Sequence, residues 1–161
     1  TKTDARAKQV AFSNTYHNAT QVLVTLKKNN INTFSDMQGK VLGDQTASSG
    51  DESFNQHPKV LKRYVKDQKV IGYDTFDKAF NDLNAGRIDG LLIDEDYARY
   101  YVAHQANPTN YTVTVGGFSV DETAVGFRKS DVQLRQAVNQ KLSEFKKDGR
   151  LKQIEDRWFS N

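Results

Sequence analysis

The chain has 161 residues, 37% of them hydrophobic and 11% aromatic, which supplies a packed core and excludes a disordered chain. Against 20 acidic residues stand 23 lysines and arginines, a net charge of +3, and the two signs are interleaved rather than gathered into the patch of a nucleic-acid binder. Cysteine is absent, which removes thiol catalysis, cysteine zinc sites and disulfides, and no run of about 18 apolar residues is present to span a membrane.

Short apolar strands alternate with amphipathic helices, the pattern of an α/β protein with a largely parallel sheet. The first clear strand is Gln21–Leu26, rich in β-branched residues and closed by Lys27, Lys28 and Asn29. A helical turn at Thr33–Met37 ends before Gly39, and Lys40–Gly43 reads as a second strand. It runs into Thr46–Asp51, a loop of small polar residues, with helix-forming sequence up to Pro58. Val60, Leu61, Tyr64 and Val65 stand at helical spacing, and Lys69–Tyr73 is the next strand. The strongest helical pattern follows: Phe76, Ala79, Phe80 and Leu83 repeat at the spacing of one buried face. Asp74 or Thr75 caps its start, and Gly86 occupies the left-handed position past its end.

Ile88–Ile93 is a strand ending at Asp94, followed by a helix through Tyr97 to about Gln105 and a strand at Tyr111–Val115. Thr123–Arg128 reads as a further strand, and Ser130 and Asp131 cap a long helix striped by Leu134, Val138, Leu142 and Phe145. Gly149 ends that helix, and Leu151, Ile154 and Trp158 stripe a short terminal one. Phe76, Phe80, Phe145 and Trp158 lie on such stripes and are assigned to the core. His17, His57 and His104 lack metal-ligand spacing, and neither a Gly-x-Ser-x-Gly elbow nor a phosphate-binding glycine loop occurs, so no metal or cofactor is expected.

The order of several motifs carries a resemblance. Thr3-Asp4-Ala5-Arg6 is followed by Val10–Ser13, Gly39–Gly43, Ala85–Gly90, Asp94, Ala124–Lys129, and then Leu142–Gly149 with Trp158-Phe159. In this order the chain resembles the amino-acid-binding proteins of bacterial ABC importers, the extracellular solute-binding proteins of family 3. The resemblance implies a periplasmic-binding-protein-like fold of two α/β lobes joined by two hinge strands. It maps residues 1–19 to part of lobe one and the first hinge, 20–120 to a complete lobe two, and 121–161 to the second hinge and the C-terminal part of lobe one. The family's opening strands and helices, which precede the position of Thr1, have no counterpart here.

The resemblance also implies a site. A free amino acid presents a carboxylate and an ammonium, so its receptor needs a fork of donors and a compensating anion. Arg6 resembles the family's carboxylate arginine, whose planar guanidinium donates two parallel hydrogen bonds; the plainer reading is a solvated surface arginine. Thr1 matches a Ser or Thr that assists the same carboxylate. Ser49 resembles the position whose amide meets the carboxylate from lobe two at a helix N-terminus, and Gln45 matches a side chain directed at the ligand. Asp94, at the C-terminal end of a strand where open α/β sheets hold ligands, resembles the aspartate that accepts from the ammonium; capping of the next helix is its plainer role. Asp44 departs from the apolar residue usual in that strand.

The implied function is non-catalytic capture of a free, polar amino acid outside the cell, on a cell-surface lipoprotein or in the periplasm, and delivery to an ABC permease. The rivals on the same fold are an enzyme such as a cyclohexadienyl dehydratase and the sensor module of a membrane kinase. With part of lobe one lacking, the isolated chain is expected to bind weakly and to self-associate through uncovered strand edges and apolar faces.

Overall fold

The computed structural model describes residues 1–159. Two compact units emerge from one chain: Thr20–Ser119, and Thr1–Ala19 together with the chain from Val120 onward.

The larger unit is built on a five-stranded sheet. In chain order its strands are β2 (His17–Leu26), β3 (Leu42–Gln45), β4 (Val70–Tyr73), β5 (Gly90–Asp94) and β6 (Tyr111–Thr123), arranged β4-β3-β5-β2-β6. β1 (Ala11–Phe12) belongs to the smaller unit, and β2 and β6 run across the unit boundaries. β3 is parallel to β4 and β5, whereas β2 pairs antiparallel with β5, so the sheet is mixed.

Helices cover both faces of this sheet, which is why β5 and the Val22–Leu26 stretch of β2 are apolar at nearly every position. On one face Val22, Val24 and Leu26 of β2 meet Leu91 and Ile93 of β5 beneath α3 (Phe76–Asn84) and α4 (Glu95–Ala103). All four stripe residues of α3, Phe76, Ala79, Phe80 and Leu83, are buried there. Thr75 caps α3 by accepting from the Lys78 amide, and Gly86 follows its end at φ +74°. The Gly86 amide bonds the Leu83 carbonyl and the Arg87 amide the Asp82 carbonyl, a reciprocal closure that only a left-handed residue permits at low cost.

On the other face Leu23, Leu42 and Leu92 pack with Ile31, Phe34, Met37, Leu61, Val65, Phe118 and Phe54 of α2 (Ser49–Gln56). Here the Phe34 ring packs against Gly116 of β6, occupying the space a Cβ would need. A Gly116→Ala substitution therefore displaces a buried aromatic ring, and urea denaturation is expected to register a loss of about 1–3 kcal/mol.

Several elements differ from their sequence pattern. The second strand starts at Leu42 rather than Lys40, because Gly39 turns at φ +70° and the Val41 amide is held by the Asp89 carboxylate at 2.8 Å instead of joining the ladder. Residues 57–65 form a chain of turns, not a helix. Their ends bond across to the preceding segment, Gly39 N–H to the Tyr64 carbonyl and Lys66 N–H to the Lys40 carbonyl, both at 2.8 Å. Leu61 and Val65 are buried all the same. The strand expected at Thr123–Arg128 is interrupted at Val125, whose carbonyl accepts from the Ser13 amide and whose amide donates to Ser13 Oγ, both at 2.9 Å.

The smaller unit holds α1 (Asp4–Ala7), the two-stranded ladder of β1 with β7 (Gly126–Phe127), α5 (Val132–Lys147) and α6 (Arg150–Phe159). Gly149 separates α5 from α6 at φ +83°. His17 bonds the Glu155 carboxylate at 3.0 Å and stacks on Phe159 with ring centres 4.3 Å apart. No described residue of α5 or α6 is buried. Phe145 is half-buried beneath Arg150, and Trp158 is 69% exposed, so their assignment to a core does not hold. A ladder of two residues per strand offers too little surface to cover two helical stripes. Among the described residues, no helix is long and apolar enough to cross a membrane.

Candidate ligand-binding site

β3 and β5 run in parallel, so their C-terminal residues, Gln45 and Asp94, arrive at the same edge of the sheet. Each strand feeds a helix from that edge: β3 leads through Thr46–Ser48 into α2, and β5 passes directly into α4. Open α/β sheets gather ligands at such edges because strand ends and helix N-termini present unpaired backbone donors together.

The loop before α2 is held in a demanding conformation. Ala47 sits at φ +58°, a left-handed geometry that costs a residue with a Cβ about 1 kcal/mol. The Asp51 carboxylate secures it by accepting from the Ala47 amide at 3.2 Å, while Ser48 Oγ accepts from the Asp51 amide at 3.1 Å. Capping of α2 thus falls to Ser48, and Ser49 is its first residue. Ser49 Oγ accepts from Gln21 Nε2 at 3.2 Å.

Gln21 was not among the residues singled out from the sequence. It is 1% exposed, and its register places it opposite Asp94 in the β2–β5 ladder. A polar residue buried at the head of an apolar run is the signal that could have found it, since such a group is retained only where partners satisfy it. Its amide packs so closely on α2 that a Cβ at Gly50 would meet Gln21 Oε1 at 2.9 Å. Gln21 therefore links the end of β5 to the first turn of α2.

Asp94 caps α4, its Oδ1 accepting from the Asp96 amide at 3.0 Å. An ionised carboxylate offers about four lone-pair sites, so capping leaves acceptor capacity. Gln45 is half-buried, its Nε2 donating to the Asp74 carbonyl at 3.0 Å. Gln45, Ser49 and Asp94 are thus brought to one edge.

Thr1 and Arg6 belong to the smaller unit and meet each other: Arg6 Nη1 donates to the Thr1 carbonyl at 2.8 Å. The Thr-x-x-Arg pattern has a local cause. Thr3 Oγ1 accepts from the Arg6 amide at 3.2 Å and so caps the short α1 that presents the exposed arginine.

Asp44 is the anomaly of the region. It is fully buried on the face of β3 that packs under α2, and neither carboxylate oxygen has a hydrogen-bond partner. Burial pushes its pKa up to about 7, and the nearby Asp51 charge adds to the effect.

The mixed sheet thus sends an aspartate from one strand end and a helix N-terminus from the next to a common edge, the place where open α/β sheets gather ligands. The chain matches the model of the bacterial extracellular solute-binding proteins, family 3, over residues 1–161, and it belongs to that family. It is 30% identical over 162 residues to ABC transporter arginine-binding protein 1 of Escherichia coli K12, covering 98% of this chain and 62% of that protein. With the L-cystine-binding protein TcyJ of the same strain it shares 32% over 164 residues, covering 99% of this chain and 57% of that protein. It therefore spans less than two thirds of either relative. Among solved structures, an ABC uptake transporter substrate-binding protein from Streptococcus pneumoniae with bound histidine superposes with a TM-score of 0.92 at 42% identity, over 99% of this chain and 65% of that one. An ancestral arginine-binding protein bound to arginine gives 0.81 at 34%, over 99% of this chain and 68% of that one. The chain accordingly has the mixed α/β fold of periplasmic-binding-protein-like structures, of which it covers a part.

Proposed function

We propose that this chain is the larger part of the solute-binding component of an amino-acid ABC importer, a non-catalytic receptor outside the membrane that hands its ligand to a permease. The observation that carries this reading is the shared edge of Ser49 and Asp94, which pairs donors at a helix N-terminus with an anion, the complement of a free amino acid. Arg6 is assigned to the ligand carboxylate, with Thr1 beside it. Within the unit of residues 20–119, read as lobe two, Ser49 is assigned to a carboxylate, Asp94 to the ammonium, and Gln45 to the ligand. The arginine, histidine and cystine in the names of the relatives support a polar amino acid as the cargo. Exposed Leu134, Ile154 and Trp158 support self-association when this chain stands alone.

Calorimetric titration of the gene product carrying these residues with arginine, histidine, cystine and glutamine tests the reading. At least one is expected to bind with micromolar affinity or better. Asp94→Ala is expected to weaken that ligand about tenfold or more, the scale of a lost charge-assisted hydrogen bond. Turnover of prephenate or arogenate with no binding of a free amino acid would replace this reading with an enzymatic one.

A further inference from the structure

The turn that opens α2 already has two carboxylates against it before any ligand arrives. Asp51 lies in its first turn and clamps Ala47. Asp44 shares a face of β3 with Leu42, which packs with Phe54 of α2. Among the described residues, no cation pairs with Asp44. Its β4 partner in register is Gly72; β5 contributes Leu92 on the same face, and Asp94 two residues further along. On α2, Glu52 is engaged by Gln56 at 3.0 Å, while Asp77, Lys78 and Asp82 of α3 belong to the opposite face of the sheet. An unpartnered, fully buried carboxyl therefore underlies the helix N-terminus assigned above to the ligand carboxylate.

We infer that amino-acid binding at this edge is linked to proton uptake by Asp44, the neutral acid admitting the ligand carboxylate and the ionised one repelling it. The inference rests on the function proposed above. The proton comes from solvent: ionised receptor, free amino acid and one proton give the complex with Asp44 protonated. Because linkage is reciprocal, the ligand raises the proton affinity of Asp44 by the same factor by which the proton raises ligand affinity. The midpoint of Asp44, lifted by burial, puts this switch near neutral pH.

The test uses arginine as the probe in calorimetric titrations at pH 5.5 and pH 8, on the parent protein and on Asp44→Asn. Any titration of the ligand itself is common to both proteins and cancels in their ratio. The parent is expected to lose roughly tenfold more affinity than Asp44→Asn between the two pH values, and to take up protons at pH 8 in buffers of differing ionisation enthalpy. Equal pH dependence in the two proteins overturns the linkage while leaving the receptor function standing; no binding of arginine at either pH by either protein overturns the linkage too. A carboxyl carbon-13 titration of Asp44 gives an independent readout, since its midpoint is expected to rise when arginine is added, and an unmoved midpoint also overturns the inference.

Discussion

Replacing the buried Asp44 by valine is expected to stabilise the protein at pH 7 and above, against the usual trend for substitutions at fully buried positions. The reason is the sign of its titration. Burial without partners raises the folded-state pKa from 3.8 to about 7, so the folded protein holds a proton that the unfolded chain has released. Between those two values the folded state binds more protons than the unfolded one, and stability falls as pH rises. The loss begins near pH 4, is complete just above pH 7, and amounts to roughly 2–4 kcal/mol. Asp44→Val removes both the titration and two orphaned oxygens, and a β-branched residue suits a strand packed on both faces. Urea denaturation from pH 4 to pH 8 decides the matter. The parent is expected to lose stability across that range by several kcal/mol more than the variant. Parallel profiles would mean that solvent or a relaxed side chain reaches Asp44 in solution.

The second large effect is expected at Arg6. The proposed function gives its guanidinium the ligand carboxylate, and truncating one side of such a pair leaves the other charge unanswered. Arg6→Ala is expected to weaken amino-acid binding about 30-fold or more, the equivalent of roughly 2 kcal/mol. Arg6→Lys keeps the charge but loses the planar fork, so it should fall between the two. Arg6 is exposed, and its recorded side-chain bond goes to the Thr1 carbonyl, so stability should stay within about 0.5 kcal/mol of the parent. Calorimetry and thermal unfolding on the same three proteins separate the two readouts. Unchanged affinity in Arg6→Ala would leave the residue as a surface tie to Thr1 and remove it from the site.

How much of this was legible in the sequence varies with the range of the forces involved. The α3 stripe, its Thr75 cap and the Gly86 exit are local, set within about four residues, and all three stand in the structure as their spacing indicates. The strand offset at Leu42 and the turns at 57–65 were not legible, because hydrogen bonds to Asp89, Gly39 and Lys40 decided them across the fold. Helical spacing in α5 and α6 marked the helices correctly but said nothing of burial, which depends on what surface lies opposite.

The candidate site divides along the same line. Thr1, Arg6, Gln45, Ser49 and Asp94 were singled out by residue type and motif order, which bear on the chemistry of a free amino acid. Gln21 escaped because nothing near it in sequence marks it; only the pairing of β2 with β5 sets it opposite Asp94 and in reach of Ser49. The sequence by itself determined the alternation of strands and helices, the Thr75 and Gly86 boundaries of α3, and family membership, since these rest on short-range geometry and motif order. The cap expected of Ser130 and Asp131 on α5 is not formed, because the Asp131 carboxylate accepts from Arg128 instead. The tertiary structure alone decided the mixed strand order, the edge shared by Gln45, Ser49 and Asp94, and the fate of Asp44. A carboxyl in a strand is solvated or buried according to what packs over it, and α2 packs over this one.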